Sequence, residues 1–172
     1  MENMEKQFVE IDVKSIQENV FRKIEEEWFL VTAGSGDKVN TMTANWGGFG
    51  YLWHRNVCFI FIRPTRYTYE FTENNELFTL SFFGSEHRGM LDFCGTKSGK
   101  DVDKIKECGL HTVELYPGAP AFSEADLVIC CRKIYFQDIN PNYFVDKKID
   151  KNYPKKDYHR MYIGEIIKVF SK

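Results

Sequence analysis

Apolar and polar positions change their period along this chain, and the clearest alternation runs from Asn40 to Trp46. There Thr41, Thr43 and Asn45 fall on one face of an extended strand, and Met42, Ala44 and Trp46 on the other. The pattern predicts a strand with one face in a core and one free for a polar ligand. Gly47, Gly48 and Gly50 follow, and their missing Cβ atoms would let another backbone or a flat ring come close. Upstream, Ile16, Val20 and Ile24 recur at helical spacing behind the capping pattern Ser15-Ile16-Gln17-Glu18, which predicts a helix from Ser15 to Glu26. Trp28 to Thr32 reads as a short strand, with Gly34-Ser35-Gly36-Asp37 as the turn into the Asn40 strand.

Val57 to Ile62 is apolar without alternation, as expected of a strand covered on both faces, by barrel interior on one side and a helix or second subunit on the other. It runs into Arg63-Pro64-Thr65-Arg66-Tyr67-Thr68. Pro64 should end the strand, Thr65 should cap a helix, and Tyr67 and Phe71 should pair one turn apart in it. Two guanidiniums and two hydroxyls then meet at a helix N-terminus, where backbone N–H groups and the helix dipole also attract anions. A phosphate suits such a site; the alternative is a solvated turn whose arginines pair with nearby glutamates. Leu77 to Phe83 reads as a strand and His87 to Phe93 as a short helix. Gly95 to Asp101 forms a second basic loop, in which Thr96, Lys97 and Ser98 are further candidates for contact with a phosphate or ribityl chain; the alternative is a simple capped turn. Ser98 or Asp101 should cap a helix that Gly109 ends. Leu127 to Gln137 and Met161 to Phe170 read as long strands, separated by an extended excursion from Asp138 to Asp157.

Composition narrows the options. A chain of 172 residues is expected to form one domain with its own core. Aromatic residues make up 16% of it, which favours a mainly β fold. The net charge of −2 and the lack of a basic stripe speak against nucleic acid and membrane surfaces as partners. Met1 to Glu10 lacks the basic and apolar regions of a signal peptide, so a cytoplasmic protein is expected. Five scattered cysteines, with no Cys-x-x-Cys and no histidine at zinc-finger spacing, fit that compartment and point to no metal. Cys130 and Cys131 should face opposite sides of a strand.

Four segments, taken in order, resemble the flavin reductase-like, FMN-binding split-barrel family and its flavoredoxin-like branch: Asn40 to Gly47, Phe61 to Thr68, Cys94 to Lys104, and Tyr158 to Glu165. The resemblance spans nearly the whole chain. It implies a Greek-key split β-barrel with flanking helices, and a homodimer with FMN at the subunit interface. It also implies that Thr41, Met42, Thr43, Ala44, Asn45 and Trp46 lie along the flavin ring, largely through their backbone. Arg63, Arg66, Tyr67 and Thr68 would hold the phosphate, with Thr96, Lys97 and Ser98 as further contacts. Asn45 departs from the small, serine-like residue common at its position. The activity implied is that of an NAD(P)H-dependent flavin or ferric-complex reductase, with a nicotinamide dinucleotide as donor. The alternative is a flavoredoxin-type carrier that exchanges electrons with a redox protein partner. Because the cofactor carries the chemistry, no catalytic side chain is assigned, and His159 is expected to be structural.

Overall fold

The computed structural model describes residues 7–172. Met1 to Lys6, part of the segment read as free of a signal peptide, lie outside the described residues. Strand β1 (Val9–Ile11) leads into a 3-10 turn (Val13–Ser15) and a short helix α1 (Val20–Arg22) that widens into a π turn over Lys23–Glu27. The helix therefore starts later than Ser15. The Ser15 hydroxyl donates to the Asp12 carbonyl at 2.6 Å and is not available as a cap, whereas Asn19 Oδ1 accepts from the Phe21 and Arg22 amides at 3.0 and 3.3 Å.

Strands β2 (Phe29–Ser35) and β3 (Lys38–Ala44) form the expected hairpin, and β4 (Gly47–Leu52) and β5 (Arg55–Ile62) form a second. The glycines after Trp46 thus continue as strand. A Cβ on Gly47 would lie 2.6 Å from the Phe59 carbonyl oxygen, and the Phe59 ring covers Gly50. The backbone and the ring that these glycines admit both belong to the chain's own β5. Helix α2 (Tyr67–Asn74), strand β6 (Leu77–Phe82), helix α3 (Arg88–Thr96) and helix α4 (Lys104–Glu107) follow. A small hairpin of β7 (Thr112–Tyr116) and β8 (Ala119–Phe122) precedes the long strands β9 (Leu127–Asp138) and β10 (Arg160–Ser171). The excursion between those two carries only 3-10 turns, at Pro141–Tyr143 and Lys147–Asn152.

The main sheet is antiparallel in the order β3-β2-β6-β9-β10-β5-β4, with β1 also paired to β10. One face of these strands feeds a single core that includes Val31, Met42, Ile60, Leu80, Ile129 and Tyr162. A flat sheet could not bring β3 and β5, near its opposite ends, into one cluster, so the sheet curls round that core. Strands β3 and β4, its two edges, do not pair with each other, and the result is the split barrel with flanking helices that the sequence resembles. A second core, around Leu30, Leu91, Phe122 and Val128, lies where α3 and the β7–β8 hairpin cover the outside. Cys131 faces the first core and Cys130 the second, as strand alternation requires. In β5, Cys58, Ile60 and Ile62 point inward and are fully buried, while Phe59 and Phe61 on the outer face are half-buried. None of the described helices is long and apolar enough to cross a membrane.

Candidate functional site

Pro64 stops β5, and the chain turns through a bond from the Arg66 amide to the Arg63 carbonyl (2.9 Å) before α2 begins. Arg66, not Thr65, is the N-cap residue, with extended backbone angles. The Thr65 hydroxyl instead lies 3.5 Å from Asp157 Oδ2. Among the described residues no side chain caps α2, so its N-terminal amides and the positive end of its dipole stay available. Tyr67 and Phe71 meet edge to face at 5.0 Å, as their spacing predicts.

The second wall is the loop after α3. Here the Ser98 hydroxyl accepts from the Lys100 amide at 3.2 Å, and the Ser98 carbonyl accepts from the amides of Asp101 and Val102. With Ser98 tied into that turn, Asp103 caps α4 by accepting from the Lys106 amide at 3.1 Å, which corrects the expectation of Ser98 or Asp101. Gly109, at φ +64°, follows the end of α4 as read. Gly99 lies so close to β3 that a Cβ there would collide with Asn40 Oδ1. Asn40 in turn donates to the Thr68 hydroxyl at 2.8 Å. Strand β3, the start of α2 and the loop are thereby fastened together.

Between them lies a cavity of about 220 Å³ lined by Thr65 to Thr68, Thr96 to Gly99, and Lys104. The two basic segments singled out in the sequence do converge. A larger cleft of about 750 Å³ adjoins the cavity, sharing Tyr67, Gly99 and Lys104 with it. Arg66 is half-buried and has no ion-pair or hydrogen-bond partner for its guanidinium among the described residues; burial and then the nearby Arg63 hold its pKa below the usual value. Lys104 is only 3% exposed and donates to the Cys94 carbonyl at 3.1 Å. Burial, helped by the charge of Arg66, pushes its pKa down to about 8, while the thiols of Cys94 and Cys108 oppose the shift. Two desolvated cations side by side with no carboxylate are costly, and an anion in the cavity would remove that cost. Lys104 was missed by sequence reasoning, since in the sequence it is simply the first residue of a charged helical turn.

Arg63 plays a different part. Its guanidinium pairs with Asp157 at 2.9 Å, donates to the Asn152 carbonyl at 2.8 Å and lies over the Tyr153 ring. It fastens the excursion between β9 and β10 and does not line the cavity. Beside it, His159 Nδ1 meets the Tyr153 hydroxyl at 2.8 Å, and the His159 ring lies 5.1 Å from that of Trp46. Burial first, then Arg63, lowers the His159 pKa to about 4, so its imidazole is neutral near pH 7.

The hydroxyls of β3 do not face a ligand as the alternation suggested. Thr41 is fully buried and donates to the Val31 carbonyl at 3.1 Å; its oxygen also lies 2.9 Å from the Thr32 hydroxyl. Thr43 donates to the Leu91 carbonyl at 2.5 Å. Met42 and Ala44 belong to the barrel core, and Asn45 and Trp46 are exposed at the end of the strand. What β3 does leave open is main chain. As an edge strand paired only with β2, it turns the N–H and C=O groups of every second residue away from its partner. In the loop, the Thr96 hydroxyl donates back to Asp92, and Lys97 is exposed.

The sequence profile of the flavin reductase like domain matches residues 21–171, and the chain belongs to the flavin reductase-like family. Solved structures share its fold. An FMN-binding domain of a flavin reductases-like enzyme from Shewanella baltica superposes with a TM-score of 0.70 at 18% identity, over 97% of this chain and 78% of that one. Flavoredoxin of Desulfovibrio vulgaris gives 0.66 at 25% identity, over 84% and 69%. An NADH:FAD oxidoreductase of Streptomyces globisporus gives 0.63 at 17% identity, over 85% and 75%. No curated protein matches the chain.

Proposed function

We propose that this protein binds FMN and uses it to pass electrons from NADH or NADPH to a free flavin or a ferric complex. The observation that carries the proposal is the pair Arg66 and Lys104, two cations without a carboxylate, in a cavity at an uncapped helix N-terminus. They would hold the phosphate, with Thr68, Lys97 and Ser98 completing the cradle. The open edge of β3, from Thr41 to Trp46, would run along the flavin ring and contact it through main-chain groups. FMN bound there would supply the hydride acceptor and the onward electron donor. The chain's own work is to bind, orient and shield. Neutral His159 supports Trp46 and Tyr153 beside the ring site.

The family and the Streptomyces neighbour support a nicotinamide-dependent reductase. A second reading, a flavoredoxin-type carrier serving a redox protein, draws on the likeness to the Desulfovibrio flavoredoxin. Steady-state oxidation of NADH and NADPH, with and without added free flavin, separates them. Turnover that rises with free flavin or a ferric complex fits the reductase. FMN retained without nicotinamide oxidation fits the carrier.

We also propose a homodimer. Phe59 and Tyr135 flank the buried Ile163 in a cross-strand row on the outer face of β5, β10 and β9, and Trp53 stands 5.9 Å from Tyr135 at its end. Trp53 is 54% exposed, so the patch suits a second copy of the chain.

A further inference from the structure

All five cysteines are free, and four of them form two close pairs that the proposed function leaves unused. Cys58 Sγ and Cys131 Sγ lie 3.4 Å apart across β10, where Gly164 has no Cβ to press on them. Both are fully buried, and each is fixed in a strand of the barrel. Cys94 Sγ and Cys108 Sγ lie 3.8 Å apart in a different setting. Cys94 is in the last turn of α3, and Cys108 is the half-buried C-cap of the four-residue α4. Between them the chain makes the Thr96 to Gly99 loop and carries Lys104, which line the cation cavity.

We propose that Cys94 and Cys108 form a dithiol oxidation site, which a hydroperoxide converts to a disulfide that joins the end of α4 to the last turn of α3 and so closes the cavity loop between them. Cys108, the more accessible sulfur, attacks the peroxide as its thiolate. A sulfenic acid forms on Cys108, and the O–O bond breaks to release water or an alcohol. The Cys94 sulfur then displaces the hydroxyl of Cys108–SOH, and the Cys94 proton leaves with it as a second water. The net change is two thiols and one hydroperoxide to one disulfide, one water, and one water or alcohol. Burial raises the pKa of both thiols, and the positive Lys104, anchored on the Cys94 carbonyl, only opposes that shift, so the oxidation should quicken as pH rises.

Geometry selects this pair over the shorter one. A disulfide needs sulfurs about 2.05 Å apart, so one residue of either pair must move. Cys108 ends a short helix and precedes Gly109 in the left-handed region, where the backbone can adjust. Cys58 and Cys131 are held by strand pairing on both sides and are closed to solvent. If the cavity takes a phosphate as proposed above, the staple would fix the loop in its binding shape and slow release of the cofactor.

The test is to treat the protein, with and without added FMN, with one equivalent of hydrogen peroxide, block the remaining thiols with an alkylating reagent and map the peptides. Two of the five thiols should be lost, with a reducible link joining Cys94 to Cys108. Cys108→Ser should abolish the link, and Cys94→Ser should leave a sulfenic acid on Cys108 that dimedone traps. A Cys58–Cys131 link, over-oxidation of Cys108 without a link, or five intact thiols would overturn the proposal. The thiol count does not depend on what the cavity binds, so its failure is distinct from failure of the FMN reading.

Discussion

At the residue scale the site turns on which cations are occupied. Arg63 and Arg66 look equivalent in the sequence, yet Arg63 is held by Asp157, ninety-four positions away, and Arg66 is not held. No local pattern could show that, and the same is true of Lys104, whose ammonium is drawn onto the Cys94 carbonyl ten positions back. Lys104 yields a pH prediction. Its folded-state pKa, about 8, lies below its ordinary 10.5, so between these values the unfolded chain binds more protons than the folded one. Stability of the FMN-free protein from this group should therefore rise as pH climbs from 8 to 10.5, with the full cost felt below 8. Lys104→Met should stabilise the FMN-free protein at pH 7 by on the order of 1 kcal/mol, because relief of the buried charge is partly offset by the Cys94 carbonyl losing its donor, and it should weaken FMN. Bound phosphate would hold the Lys104 proton, so FMN affinity in the wild type should fall as pH rises past 8. Thermal melts with and without FMN across pH 7 to 10.5 check both signs; a variant no more stable than wild type would contradict the account.

At the element scale the helix starts were misread and the strands were largely legible. Ser15, Thr65 and Ser98 are good caps by residue type, but each hydroxyl has a competing neighbour: the Asp12 carbonyl, Asp157 and the Lys100 amide. Asn19, Arg66 and Asp103 take the cap positions instead. Strand β4 was hidden because its glycines carry no apolar alternation, although they are what permits close pairing with β5. Gly47→Ala would place a Cβ 2.6 Å from the Phe59 carbonyl oxygen, against 3.9 Å from the Phe59 ring for Gly48→Ala. Gly47→Ala should thus cost about 1–3 kcal/mol in urea unfolding, and Gly48→Ala distinctly less. Equal costs would mean the β4–β5 approach is looser than described.

At the scale of the whole molecule, the split barrel was legible through a resemblance that ran the length of the chain, while the uninterrupted apolar strand Val57 to Ile62 fixed no direction by its periodicity. In the structure its outer side is covered at Val57, which is fully buried, and only half covered at Phe59 and Phe61. If a second copy completes the cover, light scattering should find a dimer at micromolar concentration, with an interface of roughly 2,000 Å² or more. Tyr135→Lys should shift it to monomer, and a wild-type monomer that retains FMN would contradict that assembly. If the Arg66 and Lys104 cavity holds the phosphate of FMN, titrating FMN and riboflavin into wild type, Arg66→Ala and Arg63→Ala will show it. A charge-assisted bond contributes about 1.5–3 kcal/mol, so Arg66→Ala should weaken FMN roughly tenfold to a hundredfold. Riboflavin, which lacks the phosphate, should bind as before, and Arg63→Ala should weaken FMN less than Arg66→Ala does. Equal losses for the two flavins in Arg66→Ala, or no loss for either, would contradict the account.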